Sequence, residues 1–414
     1  MIKILHTADW HLGKRLQEFS RLEEQKLVLE EIIEIADNEN VDLILLAGDI
    51  FDTFNPNHEA VELLYKTLRR LSKNGERPII AISGNHDSTQ FVEAPDPLAR
   101  ELGILFYSRY DSVIPIGKLD SGIEITKSES GFLELKLPKI DFPIRMILAP
   151  YANETLLKTY LGEEDREAEF RQVLQGKWKE LAGSYCDSNG VNLLIGHFFF
   201  MKEGESSIGI GTEAEPESER PILHVGGTQA LFTNNIPPQI QYAALGHLHR
   251  YHSVDKEPMP VVYASSPLAY SFSEADQEKK VVLVEAYPNQ KVTYKAIGLK
   301  QGRPLYRMTF ESLSDTISWL EANPYCFVEI TFVTEHSIDA PTRKAIMKSH
   351  DGIVNLIPQI KNPQGQESFK LKVEDLGKDM SHLFQLFYKN EKGQEPNEEL
   401  MEIFREVISQ SNES

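Results

Sequence analysis

Residues 43–52, LILLAGDIFD, decide how the chain is read. The apolar run Leu43–Ala47 is what a strand needs when both of its faces are covered. Gly48 then allows a sharp turn, and Asp49 arrives at the carboxyl end of the strand, where open α/β sheets place their ligands. The same pattern stands on either side. The apolar segment Ile2–His6 leads into Asp9-Trp10-His11, and Pro78–Ile82 leads into Gly84-Asn85-His86-Asp87. An amphipathic run over Arg21–Ala36, a helix over His58–Leu71 and another near Leu98–Leu102 fill the intervals. This β-α-β-α-β order predicts an α/β domain.

Further along, Ile123–Leu137 reads as a hairpin, Ile144–Ala149 as a buried strand and Glu163–Leu181 as a charged helix. Asn192–Ile195, Tyr242–Leu245, Val261–Ala264 and Val281–Glu285 supply more strands, while Glu203–Arg220 is a polar loop. Pro and Gly punctuation over 286–305 marks a boundary. Beyond it, strands at Tyr306–Phe310, Phe327–Phe332 and Gly352–Pro358 alternate with helices at Leu313–Glu321 and Thr342–Lys348. After residue 365 the chain is polar, with two short apolar-faced helices. The expected domains are 1–285, a small α+β domain over 300–362 and a helical tail over 370–414.

Two of the strands just described deliver more ligand-type residues, Gly196-His197 and Gly246-His247-Leu248-His249. Singly these motifs are weak, since Asp-x-His is usually a solvated loop and Gly-Asp after a strand is often only a turn. Five of them, each at a strand end, can converge on one point. Carboxylate, imidazole and amide oxygen without thiolate suit two divalent cations such as Mn, Fe or Zn. Asp49, with two usable oxygens, is the obvious bridge, and a cation pair lowers the pKa of the water between its members.

Composition sets the bounds. The chain has 414 residues, 41% hydrophobic and 26% charged, as in an ordinary globular protein of two or three domains. Cys186 and Cys326 stand in no metal-type spacing and give no disulfide framework. The opening residues form no signal peptide, and no apolar run approaches the ~20 residues of a membrane span, so the cytoplasm is the expected compartment. The net charge of −20 argues against a polyanionic substrate, because phosphate binding usually shows as a basic patch. Bound cations and a partner subunit would offset that.

The ordered set HTADWHLG at 6–13, GDIFD at 48–52, GNHD at 84–87 and GHLH at 246–249 resembles the calcineurin-like metallophosphoesterase superfamily. Within it, the chain is most similar to the SbcD-type repair nucleases, strongly to about residue 285 and more faintly beyond. The resemblance implies a metallophosphoesterase sandwich of two mixed sheets flanked by helices, with a smaller α+β capping domain and a C-terminal helical tail. It implies one cation on Asp9, His11, Asp49 and His249, and a second on Asp49, Asn85, His197 and His247. His86 would then be no ligand. It would protonate the departing 3′ oxygen, with Asp52 orienting it.

The family's activity is Mn²⁺-dependent DNA cleavage, as a 3′→5′ exonuclease and an endonuclease in repair, recombination and replication. Its partner is an SbcC-type ABC ATPase with a coiled coil, which gates cleavage by binding ATP, and the nuclease subunit is expected to form a homodimer within a heterotetramer. Lys14 and Arg15, next to the first motif, are candidate contacts to DNA phosphates. Leu400, Ile403, Phe404, Val407 and Ile408 fall at helical spacing and form the candidate grip on the ATPase. Leu383, Leu386 and Phe387 make a smaller stripe. His6, His58, His224 and His252 are read as packed or surface residues. Two other functions are open to the sequence, a phosphodiesterase for small molecules or nucleotides and a scaffold without catalysis.

Overall fold

The strand Leu43–Ala47 has the bounds its composition predicts, and all five residues are buried. Its side chains alternate between two cores, as the period of a strand requires. Leu43, Leu45 and Ala47 enter one cluster, and Ile44 and Leu46 enter another. This is a computed structural model that describes residues 1–152, 166–203, 230–335 and 338–361, with 384, 385, 401 and 404 of the C-terminal region.

Leu43–Ala47 lies inside a six-stranded sheet. The spatial order is Thr293–Gly298, Lys280–Ala286, Ile2–Thr7, Leu43–Ala47, Ile79–Ile82, Ile104–Tyr107. The last four run parallel, and the first two join antiparallel. A second sheet of eight strands runs His252–Asp255, Val261–Tyr263, Tyr242–Gly246, Val191–His197, Ile144–Ala149, Phe132–Lys136, Glu124–Glu129, Gly117–Lys118.

The sheets face each other across a common core in which Ile4, Leu45 and Ile82 of the first meet Met146, Leu193 and Ala244 of the second. Helices cover both outer faces. Helix Leu22–Asn38 buries Val28, Leu29, Ile32, Ile33 and Ala36, the spacing of an apolar stripe. Helix His58–Leu71 starts on the Asn57 cap, whose side chain accepts from Ala60 N–H at 2.8 Å. Helix Arg166–Tyr185 sets Phe170, Leu174 and Trp178 against the outside of the second sheet.

Several strands are additional to the sequence reading, among them Ile104–Tyr107, His252–Asp255 and Thr293–Gly298. The last falls inside the segment read as a boundary, and it pairs with Lys280–Ala286, so the first sheet runs past residue 285. Beyond it stand strands Leu305–Phe310, Phe327–Thr334 and Ile353–Ile360 in that spatial order, with helices Leu313–Ala322 and Ala340–Ser349. Met1–Phe332 and Ala340–Ile357 form one compact unit. Inside it, Leu305, Phe327 and Val354 pack with Leu16 and Phe272. Val333–Asp339 and the residues from Pro358 on form a second unit. There the Phe404 ring stacks on Phe384 at 3.9 Å and Met401 is buried. Leu400, Ile403, Val407 and Ile408 lie outside the described residues, as do Leu383, Leu386, Phe387, His224 and most of the Glu203–Arg220 loop. No helix of the described residues is long and apolar enough to cross a membrane.

Candidate metal centre

The five motif segments all leave their strands at the same end of the two sheets, and their side chains meet. Asp49 is the common member. Its Oδ2 lies 3.4 Å from His11 Nε2 and 3.4 Å from His197 Nε2. On one side, His11 Nε2 stands 2.9 Å from His249 Nε2. On the other, Asn85 Oδ1 lies 3.0 Å from His197 Nε2 and 3.1 Å from His247 Nδ1. Asp9 Oδ1 accepts from His247 N–H at 2.9 Å and lies 3.8 Å from His197 Nδ1. The seven residues singled out in the sequence thus meet around Asp49, with His11 and His249 on one side, Asn85, His197 and His247 on the other, and Asp9 beside His197 and His247.

The backbone is bent to bring them there. Asp9, His11, Asp49 and His247 have φ values of 54°, 42°, 48° and 105°. Each such residue costs on the order of 1–3 kcal/mol, and such strain collects at functional sites. Two glycines permit the close approach. A Cβ on Gly246 would lie 1.9 Å from Ala47 O, and one on Gly84 would lie 2.1 Å from Asp49 Oδ1. The first-motif loop is laced to the central one by Asp9 N–H to Gly48 O, His11 N–H to Asp49 O and Leu12 N–H to Ile50 O, each 3.0 Å.

Several residues given no role in the sequence reading support the cluster. Asp87, the last residue of GNHD, accepts from Ile50, Phe51 and Gly84 N–H at 2.8–3.0 Å and so ties two motif loops together. Gln25 donates to His11 O at 2.7 Å, and Tyr270 donates to Trp10 O. Glu274 Oε1 lies 3.2 Å from His249 Nδ1. His197 Nδ1 donates to Ala47 O at 2.9 Å. In both of these histidines the Nδ1 contact orients the ring, and Nε2 is the nitrogen turned towards the other motif residues, His11 for His249 and Asn85 for His197.

The Asp52 contact differs in detail from the expectation. His86 Nδ1 does meet Asp52, but at its main-chain oxygen, 2.9 Å away. The Asp52 carboxylate is held instead by Lys14 Nζ at 2.6 Å, with His11 Nδ1 at 3.7 Å. Lys14 is therefore ion-paired inside the site, and Arg15, on the exposed side of a short hairpin, donates to Glu18 O. His86 N–H donates to Asp49 Oδ1 at 2.9 Å, and the His86 and His11 rings stand edge to face at 4.8 Å. Of the other histidines, His6 is buried between Tyr242 OH and Leu245 O, a structural link between the sheets. His58 is the exposed first residue of its helix.

Electrostatics set this cluster apart from an ordinary polar core. Burial pushes the Asp9 carboxyl up to about 7, against the pull of His197 and His249. For Asp49 burial acts in the same direction, but the His197 and His11 imidazoles hold it well below the usual carboxylate range. Burial also opposes the charge on His197, yet Asp49 and Asp9 keep its proton and raise it to about 9. His11 is held neutral by burial. Asp9 Oδ2 is buried with no hydrogen-bond partner, and such an atom costs about 1–3 kcal/mol or more in a closed protein. A divalent cation removes that cost, and the oxygen and imidazole donors are of the type such ions take. Within 4.8 Å of one another, Asp9, Asp49 and His197 offer three ligand atoms, and so do His11, Asp49 and His86. The residues fit a pair of divalent cations.

Residues 2–251 match the calcineurin-like phosphoesterase family. The chain is 33% identical over 418 residues to the SbcD subunit of the nuclease SbcCD from Bacillus subtilis (strain 168), covering 99% of this chain and 98% of that one. It is 31% identical to the protein of the same name from Staphylococcus epidermidis (strain ATCC 12228 / FDA PCI 1200), over 73% of this chain and 71% of the relative. To that of Staphylococcus saprophyticus it is 32% identical, over 73% and 70%. The chain belongs to the calcineurin-like phosphoesterase family, metal-dependent phosphoester hydrolases, and to the SbcD type within it.

Proposed function

We propose that the chain is the DNA-cleaving subunit of an SbcC–SbcD-type complex. The observation that carries the reading is Asp49 Oδ2 at 3.4 Å from an imidazole of each group. Asp9, His11, Asp49 and His249 would hold one Mn²⁺, and Asp49, Asn85, His197 and His247 the other. When bound, the cations neutralise charge on the phosphate and make water a better nucleophile.

The side chains supply position and proton movement. His86 is fixed by its N–H on Asp49 and by Nδ1 on the Asp52 carbonyl. That leaves Nε2 to give a proton to the departing 3′ oxygen. The Asp52 carboxylate keeps Lys14 at the site mouth, where it and Arg15 meet the DNA backbone. In this reading residues 1–285 form the nuclease domain, 300–362 a cap and 370–414 the tail that grips a cytoplasmic ABC ATPase through Leu400, Ile403, Phe404 and Val407. The active form is a homodimer within a heterotetramer. The polarity of exonuclease cleavage is 3′→5′, with endonuclease action on hairpins or single strands.

The net charge of −20 favours a second reading, hydrolysis of a small phosphodiester at the same centre. Labelled duplex and hairpin DNA separate the two when assayed with Mn²⁺ beside an aryl phosphodiester, with and without a co-expressed SbcC-like ATPase. DNA cleavage that chelation stops and the ATPase stimulates is expected. Turnover of the aryl ester with no DNA cleavage would establish the small-substrate reading instead.

Cation uptake should also displace protons. In the metal-free site near pH 7, His197 holds a proton because its raised value lies near 9, and Asp9 is about half protonated at about 7. Ligands must shed those protons, so affinity for Mn²⁺ rises as the pH climbs from about 6 towards 9. Calorimetry in buffers of different ionisation enthalpy should record release of between about one and two protons per chain at pH 7. No release at pH 7 would contradict the protonation states assigned to Asp9 and His197.

A further inference from the structure

The two groups that share Asp49 are not held in the same way. His197 is anchored by a main-chain oxygen, Ala47 O, which no side-chain substitution removes. His249 depends on side chains from a segment 25 residues further along. Glu274 ends the short turn Phe272–Glu274 and is only 2% exposed. Its Oε1 lies 3.2 Å from His249 Nδ1, and its Oε2 accepts from Lys279 Nζ at 2.6 Å. Lys279 is itself buried, and the same ammonium donates to His249 O at 2.7 Å and to Ser266 Oγ at 3.0 Å. One buried ion pair thus grips His249 twice, by its ring and by its main chain.

We infer that Glu274, supported by Lys279, is a positioning residue that fixes the tautomer and ring angle of His249 and so sets the affinity of one cation site of the pair. The inference rests on the metal-ligand reading of His249. A burial argument favours this role over simple packing. Two opposite charges have been taken out of water at a cost that apolar residues of similar size would avoid, and the contact they make is with a candidate ligand. Carboxylates that accept from a ligating imidazole orient it and strengthen it as a donor, and their loss typically weakens metal binding about 10–100-fold. Because the His197 group has its own main-chain anchor, the loss should fall on one site only.

Mn²⁺ titration of metal-stripped full-length protein by calorimetry, with thermal unfolding of the metal-free forms, tests this. Wild-type protein should take two ions. Glu274→Ala should weaken one site about 10–100-fold and leave the other within about threefold. Glu274→Gln keeps an acceptor oxygen for Nδ1 and should recover part of the loss, a rescue that bulk packing does not predict. If the alanine variant does not fold, the glutamine variant carries the test, with one site several-fold weaker and the other unchanged. Two sites of wild-type affinity in either folded variant would overturn the inference while leaving the metal reading intact. Equal weakening of both sites would also overturn it, since that reports a general loosening. Wild-type protein that takes up no Mn²⁺ would sink the metal reading and this inference together.

Discussion

Asp49→Ala is expected to lower phosphodiester turnover by about a thousandfold or more and to remove at least one of the two cations. The Asp49 carboxylate lies between His11 and His197, and it also takes the His86 N–H. One substitution therefore unties both groups and frees the histidine beside them. Cation stabilisation of charge in such reactions is worth several kcal/mol, and each ~1.4 kcal/mol is a factor of ten in rate. Stability of the metal-free protein should fall as well. Against the cost of burial, the His197 and His11 imidazoles hold the Asp49 carboxyl well below the usual carboxylate range, and a carboxyl lowered on folding contributes stability at neutral pH that alanine removes. The checks are turnover and bound metal by elemental analysis, followed by metal-free thermal unfolding. A variant that keeps two ions and near-normal turnover would strip Asp49 of its bridging role.

The second large effect belongs to His86. His86→Ala should reduce turnover by about 10²–10⁴-fold, the usual contribution of a positioned proton donor, while both cations stay bound. His86 touches Asp49 through its own backbone N–H, which alanine retains, and its ring nitrogen is engaged with the Asp52 carbonyl. The ring also comes close enough to His11 and Asp49 to share an ion with them. The metal count decides between these roles. Turnover lost with two ions retained identifies the proton donor, and loss of an ion would make His86 a ligand. Leaving groups give an independent readout, because a substrate with a good leaving group needs no proton. The His86→Ala defect should therefore shrink on an activated aryl ester.

Much of this was legible because the signals are local. A run such as Leu43–Ala47 followed by Gly48 and Asp49 states strand, turn and ligand within seven residues, and the structure has the strand at those bounds. What stayed hidden depends on chain segments that meet only after folding. Glu274 sits in a serine-rich stretch with nothing to distinguish it, and its contact to His249 exists because the Ser265–Lys279 segment doubles back. Asp52 was singled out for a carboxylate that turns out to bind Lys14, while its carbonyl meets His86. Main-chain oxygens have no residue type and leave no trace in a sequence.

The missed strand Thr293–Gly298 has a physical reason too. It is an edge strand with exposed and half-buried positions, so its apolar alternation is faint. Ile104–Tyr107 is four residues long, below the length at which a period can be counted. The net charge of −20 remains the feature most at odds with a DNA substrate, and Lys14 does not resolve it alone, since Asp52 already neutralises that ammonium.

The most direct test is a crystal of the protein grown with Mn²⁺ and measured for anomalous scattering at the manganese edge. Two peaks are expected, one on each side of Asp49, with the first among Asp9, His11 and His249 and the second among Asn85, His197 and His247. A single peak remote from Asp49, or none in protein that is otherwise well folded, would contradict the claim that these side chains form a cage for two cations.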